Sequence, residues 1–439
     1  MPKGRKIGST LNRHIGAMTG LVLMLSGCGG LEMPSMLRMG DHPSAPAAAS
    51  FAPQGAASAL IADLQARRSV LPAGGPFAQV ADAVLAADAG AAAAELRVAR
   101  LKAEARSKNW LPQIGPQVSL TSLSGLVAGL LVEQALFDNG RRKAERAFAA
   151  ADVEVAAVGL SAAINQRVYE GLVYYVNAER ARAQAAVAGK GAARLAEFEN
   201  IMAQRVEGGL SDRSEQQVLQ QRTAEMQATL ASDRQAEASA MAELTALTGQ
   251  PMGHVQGMES LAAGPAPEPL SVVRMRGEGA RAIAQARAER AGMLPGLAAT
   301  AGIGSDGVNP GLAMTGAGLL NPGAGAEMAA LDQTADVIDR QIATATETAN
   351  RRVVALESQI ATLSTRQAQG AEVLRQTAGN LELFTEQYKV GRRSLLELVS
   401  QYDAYARLER DQASLRYDIA LLQLEIARDR GLLVDGARM

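Results

Sequence analysis

Few side chains in this sequence could carry out chemistry. The chain has a single cysteine, Cys28, and three histidines, and it lacks both the His-Glu-x-x-His spacing of zinc hydrolases and a Gly-rich phosphate loop. Gly323-Ala324-Gly325 superficially resembles a nucleotide loop, but no Lys-Ser or Lys-Thr follows it, so a helix start explains it better. We therefore expect no catalysis, no cofactor and no metal site.

Cys28 ends a patterned N-terminal segment. A basic stretch, residues 3–13, and an apolar stretch, residues 15–25, lead to Leu25-Ser26-Gly27-Cys28. The apolar stretch is shorter than the ~20 residues that a membrane-spanning helix needs. The segment resembles a bacterial lipoprotein signal, which implies removal of residues 1–27 and lipidation of Cys28. Gly29, where that family can carry Asp, implies the outer membrane. A chance apolar N-terminus with a free cysteine is the alternative.

Composition narrows the class of fold. The 439 residues carry a net charge of −1 and only 3% aromatic residues, so the chain has no basic footprint for nucleic acid. Abundant small side chains favour closely packed helices. Residues 28–76, rich in Pro, Ala, Ser and Gly without periodicity, indicate a tether between the lipid anchor and a folded body.

The rest of the chain contains an internal duplication. Leu111-Pro112 recurs as Leu294-Pro295, the run 137–140 as 320–323, and Gly208 as Gly391, each 183 positions later. We predict a first repeat over residues 77–250, a linker over 251–268 and a second repeat over 269–435.

Each repeat has the same predicted plan. A helix (78–108 or 270–291) ends at Leu-Pro, where the proline disfavours helix in the preceding residue. Short strands follow at 113–123 and 126–137 in the first copy and 296–304 and 311–320 in the second. Turn residues separate them, Ser124-Gly125 in the first copy and Ser305-Asp306-Gly307 with Asn309-Pro310 in the second. A 67-residue helical pattern comes next in each copy, equivalent to about 100 Å of helix.

Sharp turns return the chain along each long helix. Gly208 and Gly391 can take the left-handed conformation that ends helices, and Ser394-Leu395-Leu396-Glu397 forms a capping-box pattern, with Ser211 or Asp212 as its counterpart in the first copy. The hairpins 140–249 and 323–431 follow. On the last helix, residues of one face recur in steps of three and four, which predicts coiled packing through an apolar stripe. The stripe, in which Gln412 is the one polar residue, consists of Tyr405, Leu408, Gln412, Leu415, Ile419, Leu422 and Ile426.

This duplicated plan resembles the TolC-like outer-membrane factor family. The resemblance covers residues 77–435 and is carried by Leu111-Pro112, by Leu136-Phe137-Asp138-Asn139-Gly140-Arg141-Arg142, and by the run 388–397 at the second turn. It implies a mainly α fold with a small β part, in which three chains contribute twelve strands to one β-barrel continuous with a periplasmic α-barrel. Unpaired strand edges are too costly in lipid, so closure through a homotrimer is required.

The resemblance also implies function and partners. Family members conduct cargo passively to the exterior, while a periplasmic adaptor bridges to an inner-membrane ABC or proton-driven transporter. The helical turns would be the tips that form the aperture and dock the adaptor. The candidate residues for these roles are Gly208, Ser211, Asp212, Glu215, Tyr388, Gly391, Arg392, Arg393 and Ser394. Tyr388 and Arg393 match family positions that hold the aperture shut. Ser214 stands where the family can have an aspartate, which departs from an acidic constriction.

Alternatives remain open at this stage. Arg392 and Arg393 are also compatible with solvated tip charges. A periplasmic coiled-coil structural or adaptor lipoprotein without a pore would share the helices, although adaptors normally carry one helical hairpin. Within the channel class, the run 391–398 resembles type I secretion channels, while a lipid anchor is commoner among efflux relatives.

Overall fold

The computed structural model describes residues 58–122, 125–262, 264–304, 307–316 and 322–438, with the backbone alone for 117–122 and 125–128. Cys28, the signal predicted at 1–27 and most of the predicted tether lie outside these residues, as do the turn residues Ser124, Ser305 and Asp306. Helices and strands follow one another in the order α1 (Ala59–Ala66), α2 (Pro76–Ala86), α3 (Ala91–Ser107), β1 (Gln113–Ser122), β2 (Gly125–Phe137), α4 (Arg141–Glu207), α5 (Arg213–Thr248), α6 (Leu270–Met293), β3 (Gly296–Gly304), β4 (Gly307–Thr315), α7 (Ala324–Asp332), α8 (Thr334–Lys389) and α9 (Leu395–Asp429).

The four strands form one antiparallel sheet in the order β1-β2-β3-β4. β1 pairs with β2, and β3 with β4, as hairpins, while the β2–β3 ladder joins the two copies, with Leu131 opposite Gly302. One register shift, between Leu120 and Ser122, marks an irregularity in the first hairpin, and a second, between Ala135 and Phe137, lies in the β2–β3 ladder. The sheet therefore joins the two copies in a single element.

Helix α4 is the central element of the helical body. At its strand-proximal end Val158 packs with residues of α1, α3 and α6, and further along Leu172 and Tyr175 form a second cluster with α2, α5 and α9. One 18-residue stretch of α4 is apolar enough to cross a membrane, but 39% of it is buried inside the protein. α4 packs against these six helices, which bury part of its apolar surface.

A third apolar cluster joins the far ends of the two helical hairpins. Leu195, Phe198 and Met202 of α4 and Leu219 of α5 meet Leu398 of α9. Because residues from both copies share this cluster, the two hairpins pack against each other along with their turns.

The predicted tether ends earlier than expected. Residues 59–66 form α1, with Leu64 buried, and the segment after it is bonded to the C-terminus: Val70 donates its amide to the Leu432 carbonyl at 2.9 Å, and Arg67 donates to the Arg430 carbonyl at 2.7 Å. The prediction of a tether up to residue 76 is therefore wrong for 58–76. Sequence periodicity missed this segment because its partners lie more than 360 residues away.

The first predicted helix, 78–108, is two helices. α2 and α3 are bent by 60° at the break between them. Phe77, Val80 and Val84 of α2 pack into the cluster around Tyr175, whereas Leu96 of α3 packs with Val158. The bend lets one segment contribute to two separate clusters.

Strand β4 begins earlier than predicted, at Gly307 rather than at residue 311, and ends at Thr315. Asn309 and Pro310, expected as turn residues, pair with Gly302 and Ala301 of β3. A proline is tolerated there because β4 is an edge strand, where one side of the backbone needs no partner.

The second long helix is interrupted where the first is not. α7 ends at Asp332, and α8 starts at Thr334 after an irregular residue, Gln333. The first residues of α4 and α7, Arg141 and Ala324, are 183 positions apart, but the last residues of α4 and α8, Glu207 and Lys389, are 182 apart. Losing one residue rotates a helix by about 100°, and the interruption falls within the interval that must absorb this rotation.

The apolar stripe predicted on α9 lies at a boundary between neighbours. Leu415 is the only buried member of the stripe, whereas Tyr417, Ala420 and Leu424 beside it are all buried. Tyr417 and Leu424 pack in the cluster around α4. Gln412, the polar member of the stripe, donates a hydrogen bond to the Gln367 carbonyl of α8. α9 thus contacts α4 with one face and α8 with the next, which widens its apolar surface beyond a single seam.

The packing of residues 58–76 should contribute to the thermal stability of the folded chain. A chain that starts at residue 58 should keep the thermal stability of the longer chain. One that starts at residue 72 should unfold at lower temperature, because it loses the buried Leu64 and the bonds of Arg67 and Val70 to the C-terminus. Thermal unfolding followed by circular dichroism compares the two. Equal melting temperatures would contradict the assignment of 58–71 to the folded body.

Candidate membrane-spanning sheet and hairpin tips

Side-chain hydrogen bonds fix the junction between the helices and the sheet. Asn109, two residues after α3, donates to the Arg142 carbonyl at 3.1 Å and accepts from Arg146 at 2.8 Å. Gln134 of β2 donates to the Trp110 carbonyl at 2.9 Å, and Asn139 donates to the Pro295 carbonyl at 2.9 Å. These contacts hold the ends of α3, β2 and α4 together at the base of the sheet.

One face of the sheet is apolar. Residues opposite one another in an antiparallel register share a face, and alternate residues of a strand share it too. Of the residues whose side chains the structure describes, this face carries one polar side chain, Gln134, which is bonded to the Trp110 carbonyl. Its other members are Ile114, Pro116, Leu130, Val132, Leu297, Ala299, Ala301, Ile303, Val308, Pro310, Leu312 and Met314.

The opposite face is polar or small. Gln113, Glu133 and Thr300 lie in register across β1, β2 and β3. The other described members include Leu131 and otherwise only small or polar residues: Gly115, Ala135, Ala298, Gly302, Asn309, Gly311 and Ala313. The sheet therefore separates an apolar surface, with Leu312 and Met314 largely exposed, from a polar one.

The outer strands leave two open edges. Among the strands that the structure describes, β1 pairs only with β2 and β4 only with β3. Each edge strand contains one proline, Pro116 or Pro310, which removes a backbone donor from that strand. An exposed edge otherwise pairs readily with any passing strand.

Both helical hairpins turn through the same motif. In the first, Leu210 donates its amide to the Arg205 carbonyl at 2.7 Å and Gly209 donates to Val206 at 3.1 Å; in the second, Arg392 donates to Gln387 at 2.8 Å and Gly391 to Tyr388 at 2.9 Å. This is the Schellman pattern, which needs a left-handed residue after the helix.

The left-handed residue of the first turn is not the predicted one. Gly208 has φ of −78° and Gly209 has φ of +69°, whereas Gly391 has φ of +75° as expected. The prediction that Gly208 adopts the left-handed conformation is therefore wrong. The prediction assumed that the two turns are 183 positions apart, as the earlier landmarks are, but the equivalent turn residues Gly209 and Gly391 are 182 positions apart.

The residues after each turn differ in how they begin the returning helix. Ser394 accepts from the Glu397 amide at 3.2 Å while Glu397 accepts from the Ser394 amide at 2.9 Å, so the predicted capping box is present. Those hydrogen bonds, chiefly the one from the Ser394 backbone, hold the pKa of Glu397 below its usual value. Asp212 occupies the corresponding position before α5, but its side chain makes no capping bond.

One arginine at each turn forms side-chain hydrogen bonds within its own hairpin. Arg205 donates to the Ser211 hydroxyl at 3.1 Å. Arg393 donates to Gln387 at 3.1 Å and Glu397 at 3.2 Å, and its guanidinium lies 4.7 Å from the centre of the Phe384 ring. Within the described chain Arg393 is therefore held by its own hairpin.

The other candidate tip residues have mixed surroundings. Tyr388 is half-buried and packs against the third apolar cluster. Glu215 is half-buried in the first turn of α5, next to the exposed Ser214. The Arg392 side chain is exposed, and it has neither an ion pair nor a side-chain hydrogen bond with the residues that the structure describes.

Ion pairs that the sequence did not reveal connect the two hairpins. Asp233 of α5, buried, accepts from Arg410 of α9 at 3.0 Å, and this bond helps to raise the pKa of Arg410. Nearer the turns, Arg222 of α5 lies 3.5 Å from Asp403 of α9. Breaking a buried pair by removing one partner is strongly destabilising, so the Asp233–Arg410 pair fixes the hairpins to each other.

The neighbouring glycines of the first turn should differ in how well they tolerate a side chain. Gly209→Ala and Gly391→Ala should each lower stability by about 1–2 kcal/mol, because a side chain is strained in the left-handed conformation, whereas Gly208→Ala should cost much less. Chemical denaturation of each variant measures the difference. Equal losses for Gly208→Ala and Gly209→Ala would contradict the observed turn.

Comparisons with known proteins bear on the fold. No protein-family model and no curated protein matches the sequence. Solved structures do match. CusC, described as undergoing transmembrane channel formation, is 15% identical, with a TM-score of 0.72 over 82% of this chain and 95% of that chain. The outer-membrane protein VceC of Vibrio cholerae is 15% identical, with a TM-score of 0.69 over 82% of this chain and 96% of that chain, and the CmeC outer-membrane channel of Campylobacter jejuni is 12% identical, with a TM-score of 0.68 over 82% of this chain and 86% of that chain. The resemblance predicted from the sequence is thereby confirmed at the level of the fold: this chain has the fold of TolC-like outer-membrane channels.

Proposed function

We propose that this protein is the outer-membrane channel of a tripartite export machine, a homotrimer that conducts cargo passively from the periplasm to the exterior. One observation carries the proposal: a sheet with an apolar face, a polar face and two open edges is joined to helical hairpins, of which α4, with 67 residues, is about 100 Å long. The strands have 9 to 13 residues, and about 9–11 suffice to cross a bilayer.

Closure of the sheet requires more than one chain. An unpaired edge in lipid leaves backbone groups without hydrogen bonds, at a cost of several kcal/mol per group, and four strands are too few for a membrane barrel, for which about eight is the smallest number. The strands alternate in direction, so β4 of one copy and β1 of the next are again antiparallel. Three copies then give twelve strands, with the apolar faces toward lipid and the polar faces lining the lumen.

Conduction needs partners, since this architecture offers a conduit and no source of energy. The turns at Gly209 and Gly391 lie at the ends of the hairpins distant from the sheet, which makes them the periplasmic tips. We assign them to the aperture and to docking of a periplasmic adaptor, which links the channel to an inner-membrane ABC or proton-driven transporter. Efflux and type I protein secretion both suit such a conduit. Lipidated Cys28 would anchor each chain in the same membrane.

Neighbouring positions on β2 test the assignment of the faces. Val132→Lys places a charge on the apolar face and should impair insertion and trimer formation, because lysine in the middle of the lipid costs about 2–4 kcal/mol. Glu133→Lys places the same charge on the polar face, so it should insert normally and shift the ion selectivity of the pore toward anions. Planar-bilayer conductance and reversal potentials measure both effects.

The two variants are each other's control, since they add the same side chain one residue apart. If neither substitution changed the folding or assembly of the protein, and no preparation conducted ions, the result would contradict the channel and favour a periplasmic coiled-coil lipoprotein. Failure of Glu133→Lys alone would show that the faces are reversed.

A further inference from the structure

The base of the sheet has a surface that conduction alone does not explain. Trp110, the only tryptophan of the chain, is 60% exposed, and Phe137, at the end of β2, is 59% exposed. Leu111 and Leu136 beside them are also exposed. Large apolar side chains are therefore grouped where the strands end and the helices begin.

Cationic side chains are concentrated in the two helical segments that adjoin this apolar group. Residues 100–108 and 138–146 contain eight Lys and Arg residues against three Asp and Glu residues, an excess of five positive charges in a chain whose net charge is −1. The cations are Arg100, Lys102, Arg106, Lys108, Arg141, Arg142, Lys143 and Arg146. We call this set, with Trp110, the basic collar.

Part of the collar contradicts the usual placement of charge. The first turn of α4 has no acidic residue and begins with Arg141, Arg142 and Lys143, although the N-terminus of a helix carries a partial positive charge that disfavours cations. Sequences usually depart from such a rule where function requires it. By contrast, the corresponding helix of the second copy, α7, has Glu327 in its first turn and contains no Lys or Arg.

Internal bonds account for some of these cations and not for others. Arg142 and Arg146 bond Asn109 and hold the junction together. Arg106 and Arg141 form ion pairs with Glu145, at 3.5 and 3.2 Å, and Lys108 pairs with Glu104 at 3.2 Å, but all three cations remain more than half exposed. Lys102 and Lys143 are exposed and have no ion pair with the residues that the structure describes. The collar therefore presents positive charge to its surroundings.

We propose that the basic collar binds anionic phospholipid headgroups of the periplasmic leaflet, with Trp110 at the lipid–water boundary. The inference rests on the proposed function, since it requires the strands to span the membrane. Amphipathic aromatic rings concentrate at that boundary, and Lys and Arg near a membrane surface are attracted to anionic lipid. A protein partner would not require apolar rings beside the lipid-facing side of the sheet.

The single tryptophan makes the position of the collar measurable. In bilayers whose acyl chains are brominated near the headgroup, Trp110 fluorescence should be quenched more strongly than in bilayers brominated deep in the chains. Trp110→Phe is the blank, because it removes the chain's only tryptophan. Quenching by an aqueous quencher without any by brominated lipid, in a preparation that conducts ions, would overturn the proposal and leave the channel intact.

The preference for anionic lipid has its own test. With bromine confined to either phosphatidylglycerol or phosphatidylcholine in a mixed bilayer, Trp110 should report a severalfold preference for phosphatidylglycerol. Replacing Lys102, Lys108, Arg141 and Lys143 by Gln should bring that ratio close to one, without touching the bonds of Asn109. A matched variant that removes four exposed cations of the helical body, Lys190, Arg234, Arg340 and Arg366, should keep the preference.

The outcomes separate the two proposals. A conducting protein with no preference for phosphatidylglycerol, or with a preference that both fourfold variants lose equally, overturns the collar alone. A protein that neither conducts nor shows quenching by brominated lipid overturns the channel and the collar together.

Discussion

The open edges of a four-stranded sheet are the constraint on which the rest of this architecture depends. β1 and β4 each leave a row of backbone groups without partners within the described chain, and lipid offers those groups no substitute for a hydrogen bond. The amphipathic faces and the prolines in both edge strands, Pro116 and Pro310, are consistent with edges meant for one partner. An even number of alternating strands also lets identical copies join edge to edge with antiparallel geometry. The constraint calls for closure between copies of the chain, and the proposed trimer meets it with twelve strands.

The helical body supplies the rigidity that such an assembly requires. α4 links the sheet to the distant turns in one continuous helix, and three apolar clusters bind other helices to it along its length. The buried pair of Asp233 and Arg410 joins the two hairpins of one chain. Any opening at the tips must therefore move hairpins that are already paired within each chain, or must break these contacts.

Much of the fold could be predicted from local signals in the sequence. Leu111-Pro112 and Leu294-Pro295 mark the starts of the strands because proline acts on its immediate neighbour, and Ser394 with Glu397 forms its capping box within four residues. Signals of this kind need no knowledge of the tertiary structure. The strand bounds of β3 and the 67 residues of α4 follow from them.

The remaining features depend on contacts between distant parts of the chain. Arg67 and Val70 are ordered by the C-terminus, and Asp233 meets Arg410 from 177 positions away. Gly209, rather than Gly208, turns the first tip because one residue is missing from the second long helix, which no single landmark reveals. The basic collar likewise depends on tertiary structure, since Lys102 and Arg141 lie on one surface only when α3 and α4 meet.

The mass of the assembly extracted from membranes tests the central claim most directly. Native mass spectrometry should give three chains per particle, each derived from the 45.7 kDa sequence after the changes at its N-terminus. A particle of one chain would leave strand edges open in lipid and would contradict the closed channel, and a particle of two chains would contradict the proposed trimer.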